Sequence, residues 1–134
     1  MKAAVCKWND LVAPVFDASG EIVVVHLTRE EIAILEHVDI SDLDGLAMIR
    51  KLSNLGIEVL ICGAISRLWH EILIAGEIQV ISFVSGQIHS FLRMLIEGGS
   101  EPEPKIFMPG CPQSILEHNL EQINKVAAAL QKRD

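Results

Sequence analysis

Glu58-Val59-Leu60-Ile61-Cys62-Gly63-Ala64-Ile65-Ser66 is a short apolar run that stops on a glycine and leads into a helix cap. Glu58 to Cys62 is too short for a helix and reads as a buried strand. Ser66 can cap a helix that turns Leu68, Trp69, Ile72 and Leu73 inward and ends at Gly76. The pattern then repeats. Gln79 to Val84 is another short strand, and Ser85 can cap a helix whose Ile88, Phe91, Leu92 and Leu95 fit an i, i+3, i+4, i+7 stripe, ended by Gly98-Gly99. Strands alternating with helices imply right-handed crossovers and parallel neighbours.

The chain upstream has a different rhythm. Ala3 to Trp8 is a first strand, ended by the turn formers Asn9-Asp10. Val12-Ala13-Pro14-Val15-Phe16-Asp17 is apolar but broken by proline, so it reads as a packed loop rather than a central strand. After the turn Ala18-Ser19-Gly20, Glu21 to Leu27 holds four β-branched residues in succession and reads as a buried strand. Ile32, Ile34, Glu36, Val38 and Ile40 alternate with Ala33, Leu35, His37 and Asp39. Period two favours a third strand near an edge, with helix as the competing reading. Ser41 can cap a helix with acidic residues in its first turn, an apolar face of Leu43, Leu46, Ala47, Ile49 and Leu52, and a stop at Gly56.

Short turns between the early strands imply antiparallel pairing, so the whole is one mixed five-strand α/β sheet covered by helices. With the fourth strand beside the first, the order is 3-2-1-4-5. Downstream, Ser100 to Pro104 is a polar linker and Ile106 to Pro112 an extended piece. Ser114 and Glu117 form a capping box for a last helix, with Leu116, Leu120, Ile123, Ala127 and Leu130 on one side. Residues 1–99 are expected to form the binding domain, and 100–134 a linker and helix packed on it.

Composition limits the function. A chain of 134 residues, half of them apolar, suits one core. No uncharged apolar run approaches the ~20 residues that cross a bilayer, and the start lacks the pattern of a signal peptide, so the cytoplasm is the expected location. The net charge of −7 comes without a basic stripe, which argues against nucleic acid as a partner. Cys6, Cys62 and Cys111 form no C-x-x-C pair, so neither a zinc ribbon nor a thioredoxin motif is supported. Taken alone, each reads as a small reduced core residue. His26, His37, His70, His89 and His118 show no metal-type spacing.

In the 3-2-1-4-5 order a switch point falls between strands one and four, and ligands favour such crevices. Trp8 to Asp10, Cys62 to Ser66 and Val84 to Gly86 should meet there. Gly63 and Gly86 allow close backbone approach, the helices opening at Ser66 and Ser85 offer N–H groups to an anion, and Cys62 offers a soft sulfur. Ordinary strand-to-helix turns are the plain alternative.

Val12 to Asp17, Cys62-Gly63-Ala64-Ile65, Val84-Ser85-Gly86 and Phe107-Met108-Pro109-Gly110-Cys111, in this order, resemble the dinitrogenase iron–molybdenum cofactor biosynthesis family. The match runs over roughly residues 3 to 99. The resemblance implies a ribonuclease-H-like three-layer fold. It also implies a non-enzymatic carrier of an anionic metal–sulfur cluster, of the iron–molybdenum precursor or molybdenum–copper sulfide type. Such a cluster would be held non-covalently or through few thiolates, and the protein could be apo as purified. Asn9, Phe16, Cys62, Gly63, Ala64, Ser66, Ser85 and Gly86 are the expected binding residues, with Cys62 and Cys111 as metal ligands and Cys111 on a lid. Cluster-donor or acceptor proteins are the implied partners, for a monomer or weak homodimer. Two positions depart from the family. Val15 precedes Phe16 where nitrogenase carriers typically have histidine, and Ala64 takes the place of a second glycine.

Catalysis is not expected. Ribonuclease-H-like nucleases place metal-binding carboxylates on strand one and at the end of strand four, where this chain has none and Cys62. A Cys–His nucleophile would have to pair Cys62 with His70 or His89. The remaining alternative is an interaction module of the same fold without metal.

Overall fold

The computed structural model describes residues 1–98 and 106–132. The expected linker Ser100 to Pro104, together with Gly99 and Arg133, lies outside them. The strands are β1 (Lys2–Trp8), β2 (Leu11–Val12), β3 (Glu21–Leu27), β4 (Ile32–Asp39), β5 (Val59–Ile61) and β6 (Gln79–Ile81). The helices are α1 (Gly45–Leu55), α2 (Arg67–Ala75), α3 (Ile88–Ile96) and α4 (Gln113–Lys132). The sheet has the order β4-β3-β1-β5-β6, with β2 paired to β1 off this path. Pairing is antiparallel from β4 through β3 to β1 and parallel from β1 through β5 to β6.

The sheet therefore has six strands rather than five. The extra one is Leu11–Val12, the start of the segment read as a loop. Asn9-Asp10 forms a two-residue hairpin, with Trp8 opposite Leu11 and Asn9 in the left-handed region at φ 57°. Pro14 ends the pairing. Ile32–Asp39 is a strand, which settles the competing helical reading.

Alternation along the strands sends side chains into two cores. Val5, Val23, Val25, Ile61 and Ile81 pack with Phe91, Leu92 and Leu95 of α3 and Ile123, Val126 and Leu130 of α4. Ala4, Cys6, Ile22, Val24, Leu60, Cys62 and Val80 pack on the other face with Phe16, Met48, Leu52 and Leu73, from the chain after β2, α1 and α2. Fully burying each of the larger aliphatics contributes about 1.5–3 kcal/mol. Leu46 and Leu68, expected inward, point to solvent at 62% and 67% exposure.

Helix starts follow local hydrogen bonding. Asp44 caps α1, its carboxylate accepting from Ala47 N at 2.8 Å. Ser41, the expected cap, instead donates its N–H and hydroxyl to Asp39, and these bonds hold the Asp39 carboxyl below its ordinary pKa. Ser66 caps α2, its hydroxyl accepting from Trp69 N at 3.3 Å. Gly56 ends α1 in the left-handed conformation at φ 75°. In α4 the helical bonding begins with Leu116 N on Pro112 O, so Ser114 lies inside the first turn and forms no capping box.

α4 docks on β6 and α3. The buried Asn119 side chain accepts from Ser82 N at 3.1 Å and donates to Ser82 O at 2.7 Å, just beyond the end of β6.

Candidate binding cleft

The three segments expected to form the crevice do converge, but the chain's own residues 11–17 occupy the space between them. Val12 N donates to Gly86 O at 3.0 Å, Ala13 N to Cys6 O at 2.8 Å, Ala64 N to Pro14 O at 2.9 Å and Phe16 N to Ala64 O at 2.7 Å. Val12, Ala13 and Phe16 are buried, and Phe16 meets Trp69 edge-to-face at 5.3 Å. The apolar character of this segment is thus used to roof the strand ends.

This roof accounts for several residues expected to bind a ligand. A Cβ on Gly63 would collide with the carbonyl oxygens of Ala13 and Pro14, so the glycine admits the roof. Ala64 belongs to the bridge with Val15. The Asp17 carboxylate accepts from Ser66 N at 3.0 Å, placing an internal anion at the start of α2. Gly86 has φ 101°, a conformation that favours glycine. Ser85 does not cap α3. Gln87 holds that position without a side-chain cap, and Ser85 N donates to Ile106 O at 2.8 Å.

The cysteines also differ from expectation. Cys62 is fully buried in the α1/α2-side core rather than at a crevice mouth. Burial, reinforced by the negative character of Cys6 and Asp17, pushes its thiol pKa far up. Cys6 is pushed up to about 12, burial outweighing a hydrogen bond with Ser19. Both are protonated at neutral pH and poor ligands as they stand. Cys111 lies in a half-buried turn after Phe107, whose ring sits in the opposite, α3/α4-side core. Ile106 to Met108 is fastened beside Phe83 to Ser85 by backbone bonds, including Met108 N to Phe83 O at 2.7 Å, so it forms an extension of the β6 side rather than a lid. Among the described residues no group of three or more His, Cys, Asp or Glu is placed to hold a metal ion.

A cleft of about 490 Å³ opens one step away, between α3 and the antiparallel half of the sheet. Its floor is Val23 and Val25 of β3 with Ile32 and Ile34 of β4. One end is Lys7, Asn9 and Asp10, and the α3 wall is Gln87, Ile88, His89 and Leu92. A β-bulge shapes the opposite wall. Val24 pairs with Glu36 and Val25 with Ile34, leaving Leu35 as the extra residue. The bulge returns both Ile34 and His37 to the cleft side, three residues apart. Ile88 N donates to Asp10 O at 3.0 Å and ties the start of α3 to the hairpin.

Charge in the cleft is balanced. Glu21 Oε1 lies 3.2 Å from both Lys7 Nζ and His37 Nδ1. His37 and His89 bring imidazoles from opposite walls, and Asn9 and Gln87 bring amides. Of the expected site residues only Asn9 lines this cleft. Lys7, His37 and His89 were not singled out as its binding residues, because strict alternation hides the bulge that aims His37 inward.

The architecture is that of a mixed-sheet α/β domain with a lateral cleft beside the first helix after β6. The family model for the dinitrogenase iron-molybdenum cofactor matches residues 1–98. The chain belongs to this family. No curated protein matches it. Among solved structures it is similar to PH0822, at 22% identity and TM-score 0.65, over 73% of this chain and 90% of that one. It is also similar to mj0327 of Methanocaldococcus jannaschii, named as a candidate dinitrogenase, at 16% identity and TM-score 0.56, over 84% of this chain and 97% of that one. An NMR structure of mj0327 gives 18% identity and TM-score 0.54, over 76% of this chain and 95% of that one. These likenesses concern the fold. No described helix is long and apolar enough to cross a membrane.

Proposed function

We propose that this protein is a non-enzymatic, cytoplasmic carrier of an anionic metal–sulfur cluster, of the molybdenum–iron or molybdenum–copper sulfide type, on a ribonuclease-H-like fold. The cleft carries the reading, with its aliphatic floor and its Lys7, His37 and His89 rim. A preassembled cluster brings its own sulfides and needs few protein ligands, which suits a chain with no cluster of three metal-binding side chains among its described residues. Aliphatic floor residues would face the polarisable sulfides, amides of Asn9 and Gln87 would donate to them, and imidazoles would complete open metal positions. Donor and acceptor proteins would exchange the cargo at the open side.

Anaerobic reconstitution with thiomolybdate and copper, or with an iron–sulfur source, should give a coloured complex that survives gel filtration. His37→Ala and His89→Ala should each lose most of the colour, while Cys62→Ala, remote from the cleft, should keep it. Colour unaffected by the histidine changes would remove the cleft from the reading. A colourless protein under every condition would favour the metal-free interaction module.

A further inference from the structure

His70 of α2 and His118 of α4 meet where these helices approach each other near β6. Their ring centroids are 5.3 Å apart and their planes stand at 75°. The Nε2 atoms of both are closed off from solvent and have no hydrogen-bond partner among the described residues. The hydroxyl of Ser82 is a third such atom, and the Ser82 backbone is held by Asn119, the residue after His118. Buried polar atoms are ordinarily satisfied, so two bare imidazole nitrogens at one helix–helix contact call for a binding partner.

We infer that His70 and His118 form a two-imidazole site for a divalent transition-metal ion of the zinc, nickel and copper group, clamping α4 to α2. Imidazole nitrogen is the ligand these ions prefer. With metal–nitrogen bonds of about 2.0–2.1 Å and a tetrahedral angle, two imidazoles on one ion place their ring centres about 5 Å apart. The observed centroid separation of 5.3 Å is close to that value. No third His, Cys, Asp or Glu joins the pair among the described residues. Two protein ligands would leave the ion's remaining coordination positions to be filled by water. That describes an exchangeable site rather than a closed structural one. His118 lies beyond the residues that the family model covers, and the site is separate from the cleft.

The test uses the full chain stripped with EDTA. At a hundredfold excess of Zn²⁺ over its dissociation constant, the melting temperature should rise by roughly 10 °C. Ni²⁺ and Cu²⁺ should act likewise. The rise should vanish in both His70→Gln and His118→Gln. Imidazole ¹⁵N NMR of the unaltered protein gives a second readout that does not depend on the variants folding. Zinc should shift the Nε2 signals of His70 and His118 together. An unshifted melting temperature, a rise kept by either variant, or NMR changes confined to other histidines would overturn the assignment.

Discussion

Replacing Asn119 with alanine removes the one side chain that holds both backbone groups of Ser82. The amide accepts from Ser82 N at 3.1 Å and donates to Ser82 O at 2.7 Å, at a position with no solvent exposure. Alanine would leave an N–H and a C=O buried without partners, and each such group costs about 1–3 kcal/mol. The expected loss is therefore about 2–6 kcal/mol, a large share of a typical domain's stability. With a urea slope of about 1–3 kcal/mol per molar, the midpoint should fall by roughly 1–2 M. Far-UV circular dichroism reports the helices. In a Trp8→Phe background, which removes the second tryptophan, Trp69 fluorescence reports the far side of the sheet, where its ring packs on Phe16. The two transitions should coincide if α4 belongs to one cooperative unit. A loss below about 1 kcal/mol would refute the reasoning and leave Ile123, Val126 and Leu130 as the whole attachment.

Two further outcomes concern the roof and the thiols. Gly63→Ala should destabilise the protein by about 2–4 kcal/mol, because a methyl group there meets the backbone oxygens of Ala13 and Pro14, which cannot move without breaking the roof. Thermal melting checks it, and a change under about 1 kcal/mol would show that the roof is loosely seated. Cys6 and Cys62 are held protonated in the folded state but ionise near the ordinary thiol pKa of 9.0 when unfolded. Their folded pKa values are raised, so the stabilisation is complete below that value and declines as pH climbs above it. The decline should reach about 3 kcal/mol at pH 10 for the two together, and be absent in the Cys6→Ala, Cys62→Ala double variant relative to its own neutral value.

Local signals carried much of this fold. The β-branched run Ile22 to Val25, the alternation after Ile32 and the glycine stops at Gly56 and Gly76 depend on nearest neighbours and read directly. Helix starts were less legible. Ser41 and Asp44 are both competent caps, and only the competing bond from Ser41 to Asp39 decides between them. The site was hardest to read because its determinants are long-range. Cys62 directly follows a strand that is readable from its composition, yet which core receives its sulfur depends on the layer that covers each face. Gly63 signals close backbone approach, but nothing in its neighbours says that the approaching backbone is residues 13 and 14. His37 enters the cleft through one inserted residue, Leu35, which simple alternation passes over. His70 and His118 are 48 positions apart, as their numbering gives, and no spacing rule joins them.

The sheet is chemically unequal at its two margins. At β4 an eight-residue strand carries Ile34 and Leu35 at 66% and 47% exposure, with no further strand beyond it among the described residues. At β6 the strand is three residues long, and the chain just after it is taken up by Asn119 and by the bridge from Val84 to Phe107. The long β4 margin is therefore the better template for strand addition. A particle with two open margins can grow into a fibre, whereas one with a single open margin is used up by its first pairing. Two copies paired through β4 would leave neither with a second long margin to extend.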